Sequence, residues 1–129
     1  MALKDTIKQD DWKNEKHVPV MELPAGINRG EPTEVRVSVG KEIGHPNTAS
    51  HHIAWIKLFF FAEGAKFPVE VADFHFSEHG ADAEDETANV VTEHDVTARI
   101  TFNASGQLQA LSYCNLHGLW QNEMEINLD

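Results

Sequence analysis

One cysteine in 129 residues rules out an internal disulfide and suits a reducing compartment. No apolar run is long enough to span a bilayer, and the opening Met1-Ala2-Leu3-Lys4-Asp5 lacks the apolar stretch of a signal peptide. The expectation is a soluble, cytoplasmic protein. Basic residues are scarce: 10 Lys and Arg stand against 21 Asp and Glu, for a net charge of −11. That balance argues against nucleic acid and anionic membranes as partners. It also means that a small anionic substrate would need a local positive group beside its site. Helical periodicity is nearly absent too. What is present is 41% hydrophobic residues, enough for one domain with its own core.

Residues 1–14 are polar, with Trp12 as the one large aromatic, and read as an N-terminal arm with one helical turn. Residues 15–129 read as the folded domain. His17 to Pro24 carries two prolines, which exclude a helix interior and a central strand and leave an extended or edge segment. Thr33 to Gly40 alternates, with Val35, Val37 and Val39 on one face. His51 to Phe61 reads as a central strand and Val69 to Phe76 as another. Ser77 to Glu86 is an acidic, exposed loop. Asp95 to Asn103 alternates again, and Asn103-Ala104-Ser105-Gly106 turns the chain into Gln107 to Cys114, predicting a hairpin. Leu119 to Leu128 supplies a last strand. About seven short strands with regular turns predict an all-β, immunoglobulin-like antiparallel β-sandwich.

The chemistry-bearing residues gather in three stretches. Cys114-Asn115-Leu116-His117-Gly118 sets a thiol close to an imidazole, and a soft sulfur with a borderline nitrogen can grip one transition-metal ion. The bland alternative is a buried, inert cysteine beside an incidental histidine. Upstream lie Glu15-Lys16-His17 and His45-Pro46-Asn47-Thr48-Ala49-Ser50-His51-His52. Strand parity sends His51 and His52 to opposite faces, so only one of them can join a common site. His75, His79 and His94 flank or lie in the acidic stretch, where His79 among Glu78, Asp82 and Glu84 reads as solvated surface.

Together, Glu15-Lys16-His17-Val18-Pro19, His45-Pro46-Asn47 with His51-His52-Ile53, and Cys114-Asn115-Leu116-His117-Gly118 resemble superoxide reductase, in its single-iron neelaredoxin form. The resemblance runs from about Asp10 to the C-terminus, in the family's order. The related desulfoferrodoxins hold a second iron with four further cysteines, and a single cysteine leaves nothing to build it from. The resemblance implies one iron with His17, His45, His51 and His117 as equatorial imidazoles and Cys114 as the axial thiolate. One coordination position then stays open for a small anion. Lys16 would attract superoxide there, against the protein's overall charge, and would help a proton reach the product. Glu15 would swing in to bind ferric iron after turnover. The resemblance further implies a rubredoxin-like electron donor and a homo-oligomer, dimer or tetramer.

Two rivals keep the same residues. A cupredoxin-like electron-transfer protein is also a β-sandwich with a late Cys…His pair, but it wants an axial methionine, for which Met124 is the candidate. A zinc-stabilised binding module prefers four closed ligands, commonly with more than one cysteine. Dismutase activity would share the same open iron site.

Overall fold

Period-two alternation becomes strand wherever one face can be buried. A computed structural model describes residues 1–76 and 82–128. Its strands are β1 (Pro19–Glu22), β2 (Pro32–Val39), β3 (Ile53–Ala62), β4 (Val69–His75), β5 (Asp95–Thr101), β6 (Gly106–Cys114) and β7 (Gly118–Ile126). They form two antiparallel sheets, ordered β1-β2-β5 and β4-β3-β6-β7. The proline-flanked segment is an edge strand, as its missing backbone donors require.

The core lies between the sheets. Val35 and Val37 of β2, Ile56 and Leu58 of β3, and Leu108 of β6 are all fully buried. Each such side chain is worth about 1.5–3 kcal/mol in burial. In β6 the inward row runs Gly106, Leu108, Ala110, Ser112, Cys114. Alternation alone therefore delivers the thiol to the inner face at one end of the sandwich. The β3–β6 register shifts between Ile53 and Trp55, and this irregularity turns both Ile53 and Ile56 inward.

Three expectations change. The turn at Asn103–Ser105 does not close a hairpin: β5 pairs with β2, while β6 pairs with β3 and β7. The chain crosses from one sheet to the other there. Phe102 plugs the core at 2% exposure, its carbonyl accepts from Gly30 N, and Ser105 O accepts from Glu63 N. Secondly, His51 and His52 precede β3 rather than opening it. Thirdly, Lys8 of the arm makes a one-residue parallel bridge to Trp120, with Lys8 N donating to Leu119 O and Gln121 N to Lys8 O. The arm's helical turn is a 3-10 turn at Leu3–Thr6.

His79 and the first half of the acidic loop lie outside the described residues. Of the remainder, residues 83–87 are exposed, and Asp82 Oδ1 accepts from Ala49 N (2.6 Å). Among the described residues no helix is long and apolar enough to cross a membrane.

Candidate metal centre

Five sequence-predicted residues meet at the end of the sandwich where β6 stops. His17 arrives just before β1, His45 and His51 on the β2–β3 connection, Cys114 at the end of β6, and His117 in the turn before β7. The four rings form a closed cycle. Centroids of neighbours lie 4.8 Å apart for His17–His45, 4.8 Å for His45–His51, 5.0 Å for His51–His117 and 4.8 Å for His17–His117. The His17–His51 distance is 6.3 Å, a diagonal of the same square. Donor atoms of His17, His45, His51 and Cys114 all fall within 4.8 Å of one another.

His117 completes the square with Nδ1, which lies 3.1 Å from His17 Nε2, 3.2 Å from His51 Nε2 and 3.8 Å from Cys114 Sγ. One ring nitrogen carries either a single proton or a single lone pair. It cannot satisfy three neighbours by hydrogen bonding, whereas a shared cation satisfies all of them. His45 Nε2 makes the same point, being buried with no hydrogen-bond partner. A donor set of four imidazole nitrogens and one sulfur suits a transition-metal ion.

The far nitrogens fix the tautomers. His17 Nδ1–H donates to Glu15 Oε1 (2.6 Å), and His45 Nδ1–H donates to the Pro46 carbonyl (2.6 Å). Both rings are thus left with an Nε2 lone pair facing inward, the usual arrangement behind a metal ligand. Burial lowers the pKa of His17, and the Glu15 carboxylate opposes that only in part. His45 is driven down to about 3, again chiefly by burial. His51 is lowered by desolvation and by the charge of His117. Neutral rings are what a cation requires. Burial tends to raise the Glu15 carboxyl, yet hydrogen bonds from His17 outweigh it and its pKa falls. The charge of Lys16 also acts to lower the pKa of both His17 and His51.

The site's supports come from residues that pattern reading passes over. Asn115 Oδ1 accepts from His52 N (2.9 Å) and its Nδ2 donates to Ser50 O (2.9 Å), which ties the His51 segment to the Cys114–His117 turn. Ser112 Oγ, fully buried, donates to the His17 carbonyl (3.2 Å). Trp120 stacks on His17. Gly40 has φ +85°, and a Cβ there would lie 2.6 Å from His45 N. Of these, only Gly40 and Asn115 left a sequence signal, as a glycine closing a strand and an amide inside the Cys…His motif.

The remaining histidines stand apart. His52 Nδ1–H donates to the Thr48 carbonyl (3.1 Å), so one member of the His51-His52 pair joins the site as expected. The cause is the Thr48–His51 turn, closed by paired backbone hydrogen bonds, rather than strand parity. His75 pairs with Asp73 on exposed β4. His94, 8% exposed, meets His45 edge-on at 5.8 Å. Met124 pairs with Leu108 and packs on the core, six residues along β7 from Gly118. At about 3.3 Å per residue that is roughly 20 Å from the site, which removes the axial ligand a cupredoxin would need.

The sequence profile of the desulfoferrodoxin family matches residues 9–123. The chain belongs to that family. Within it, the chain is 47% identical over 124 residues to a superoxide reductase from Pyrococcus horikoshii, covering 96% of this chain and 98% of that one. It is 43% identical over 129 residues to neelaredoxin from Megalodesulfovibrio gigas, covering 99% of each. Among solved structures, the reduced-form superoxide reductase (neelaredoxin) from Archaeoglobus fulgidus superposes with a TM-score of 0.83 at 48% identity, covering 95% of this chain and 99% of that one. The chain is therefore similar to family members across almost its whole length.

Proposed function

We propose that this chain is a superoxide reductase, with iron held by His17, His45, His51, His117 and Cys114. The observation that carries the reading is the closed square of four imidazoles with a buried thiol against it. Iron held by these residues would supply the one electron that, with two protons, converts superoxide to hydrogen peroxide. The protein's own residues set the conditions. Lys16 gives superoxide a positive group to approach on a molecule of net charge −11. Cys114, at 0% exposure, keeps its sulfur away from water and from oxidation. His117 is the exposed member of the square, so the anion reaches the site past its ring. Glu15 holds His17 through Nδ1 in this arrangement, and releasing that bond frees the carboxylate to close the site after turnover. A rubredoxin-like protein returns the electron.

The test is the visible spectrum of the iron-loaded protein before and after oxidation, followed by product analysis. A thiolate-to-iron band that appears on oxidation and is lost in Cys114→Ser, with peroxide formed from superoxide, is the expected result. Zinc bound in place of iron with no such band, or oxygen and peroxide formed in equal amounts, would overturn it.

A further inference from the structure

Trp120 touches two of the candidate ligands from outside the square. Its ring lies 4.9 Å from that of His17 with planes only 13° apart. Its Nε1–H donates to the His117 carbonyl at 3.2 Å. The residue is 7% exposed, and its own carbonyl accepts from Ser112 Oγ (3.5 Å), the same hydroxyl that holds the His17 carbonyl. His17 and His117 are a hundred positions apart in the chain.

An imidazole turns easily about the bond that joins its ring to Cβ, because that torsion is broad rather than sharply staggered. A hydrogen bond at Nδ1 fixes one edge of the ring but leaves its pitch loose. A second flat ring against its face removes that freedom. An aliphatic side chain of similar volume would fill the space without setting the pitch. The indole N–H does a different job, since it anchors the backbone of the exposed turn that carries His117.

Lys8 adds an outer layer. Its backbone bridges β7 at Trp120, and its Nζ sits 5.3 Å from the indole centroid. A cation over an indole face is attracted by the ring's electron density. The N-terminal arm is in this way linked to a ligand it never touches.

We propose that Trp120 is a positioning residue for the metal centre, setting the ring pitch of His17 and the carbonyl of His117 together, and that Lys8 seats the indole. This rests on the reading of His17 and His117 as metal ligands. The test uses the iron-loaded, full-length protein with Trp120→Leu, Trp120→Phe and Lys8→Ala. Three quantities are read: the rate of iron loss to a chelator, the position of the thiolate-to-iron band, and the midpoint potential.

Trp120→Leu should lose iron about 10–100-fold faster, as outer-shell partners of metal ligands do when removed. Its band and potential should move as well. Trp120→Phe keeps a flat ring and should recover part of the loss, leaving the share due to the His117 link. Lys8→Ala should give the smallest change, in the same direction. Iron retention, band and potential all unchanged in Trp120→Leu would overturn the proposal, and so would a lowered melting temperature with unchanged band and potential. Should Trp120→Leu not fold, the same three readings in Trp120→Phe decide, and their agreement with the parent overturns the His117 link. If the parent protein itself binds iron without a thiolate band, the ligand assignment fails first, and the result is distinct from failure of the clamp.

Discussion

The two sides of the imidazole square are built by different means. His17 and His45 are 6% and 8% exposed, and each commits its outer nitrogen to an oxygen at 2.6 Å. His51 and His117 lie toward solvent and are placed by backbone. His51 sits in the Thr48–His51 turn, and His117 precedes Gly118, whose φ of +84° lets β6 reverse into β7. One side is preorganised by packing and dedicated hydrogen bonds. The other gives up burial for access. Such a split lets one metal site be both firmly held and reachable by a small anion.

The sharpest way to break this contrast is to remove one ligand from each side. His45→Ala should weaken iron binding by on the order of 100-fold or more, because a buried, preorganised donor is lost outright. His117→Ala should cost clearly less, since an exposed side can admit water as a substitute. Equal losses in metal titrations would erase the distinction.

Gly40→Ala attacks the buried side through the backbone. The left-handed φ and the contact with His45 N should cost about 1–3 kcal/mol, read as a lower melting temperature together with faster iron loss. A melting temperature equal to the parent's would show that the His45 loop yields without strain. Glu15→Gln removes the charge behind His17 while keeping its shape, and iron release should quicken about 10-fold. Unchanged release kinetics would mean that Pro46 and packing suffice for this side.

In the metal-free protein, pH separates the two sides. Burial holds His45 at about 3 and lowers His17 and His51 from 6.5. Below pH 6.5 the unfolded chain binds more protons than the folded one, so stability is complete above that value. It declines as pH falls toward about 3, where His45 protonates in the folded state. His45→Gln should flatten the decline in melting temperature more than His51→Gln does. Identical slopes would contradict the burial difference. The smallest effect belongs to the open side: Lys16→Ala should slow superoxide capture a few-fold at low salt, with the difference vanishing at high salt. A rate unchanged at low salt removes the steering role.

The five residues of the cluster could be named because three motifs, each modest alone, agree in one family resemblance. Their square was not, because it joins segments a hundred residues apart. The strands were legible to within about two residues from alternation, which is a local property. Pairing was less so. The short connection from Phe102 to Ser105 looks like a hairpin, and only the strand pairing, with Phe102 buried between the sheets, shows that the chain changes sheet there. Parity allowed only one of His51 and His52 at a common site and the resemblance named His51, whereas in the structure a turn before β3 separates the two. Ser112 and Trp120 stayed hidden because their roles depend on what the fold brings opposite them.

The position of Cys114 at the end of the inward row of β6 has a further consequence. The sulfur belongs to the same packed cluster as Val37, Ile56 and Leu108. A cation bound by Cys114 and His17 acts as a cross-link between the entry to β1 and the end of β6, two parts of the chain nearly as far apart as it allows. Closing a loop of that length with a disulfide is worth about 4–5 kcal/mol against the unfolded ensemble. A protein with one cysteine can obtain a comparable restraint from its metal, so loading the redox centre should also slow global unfolding.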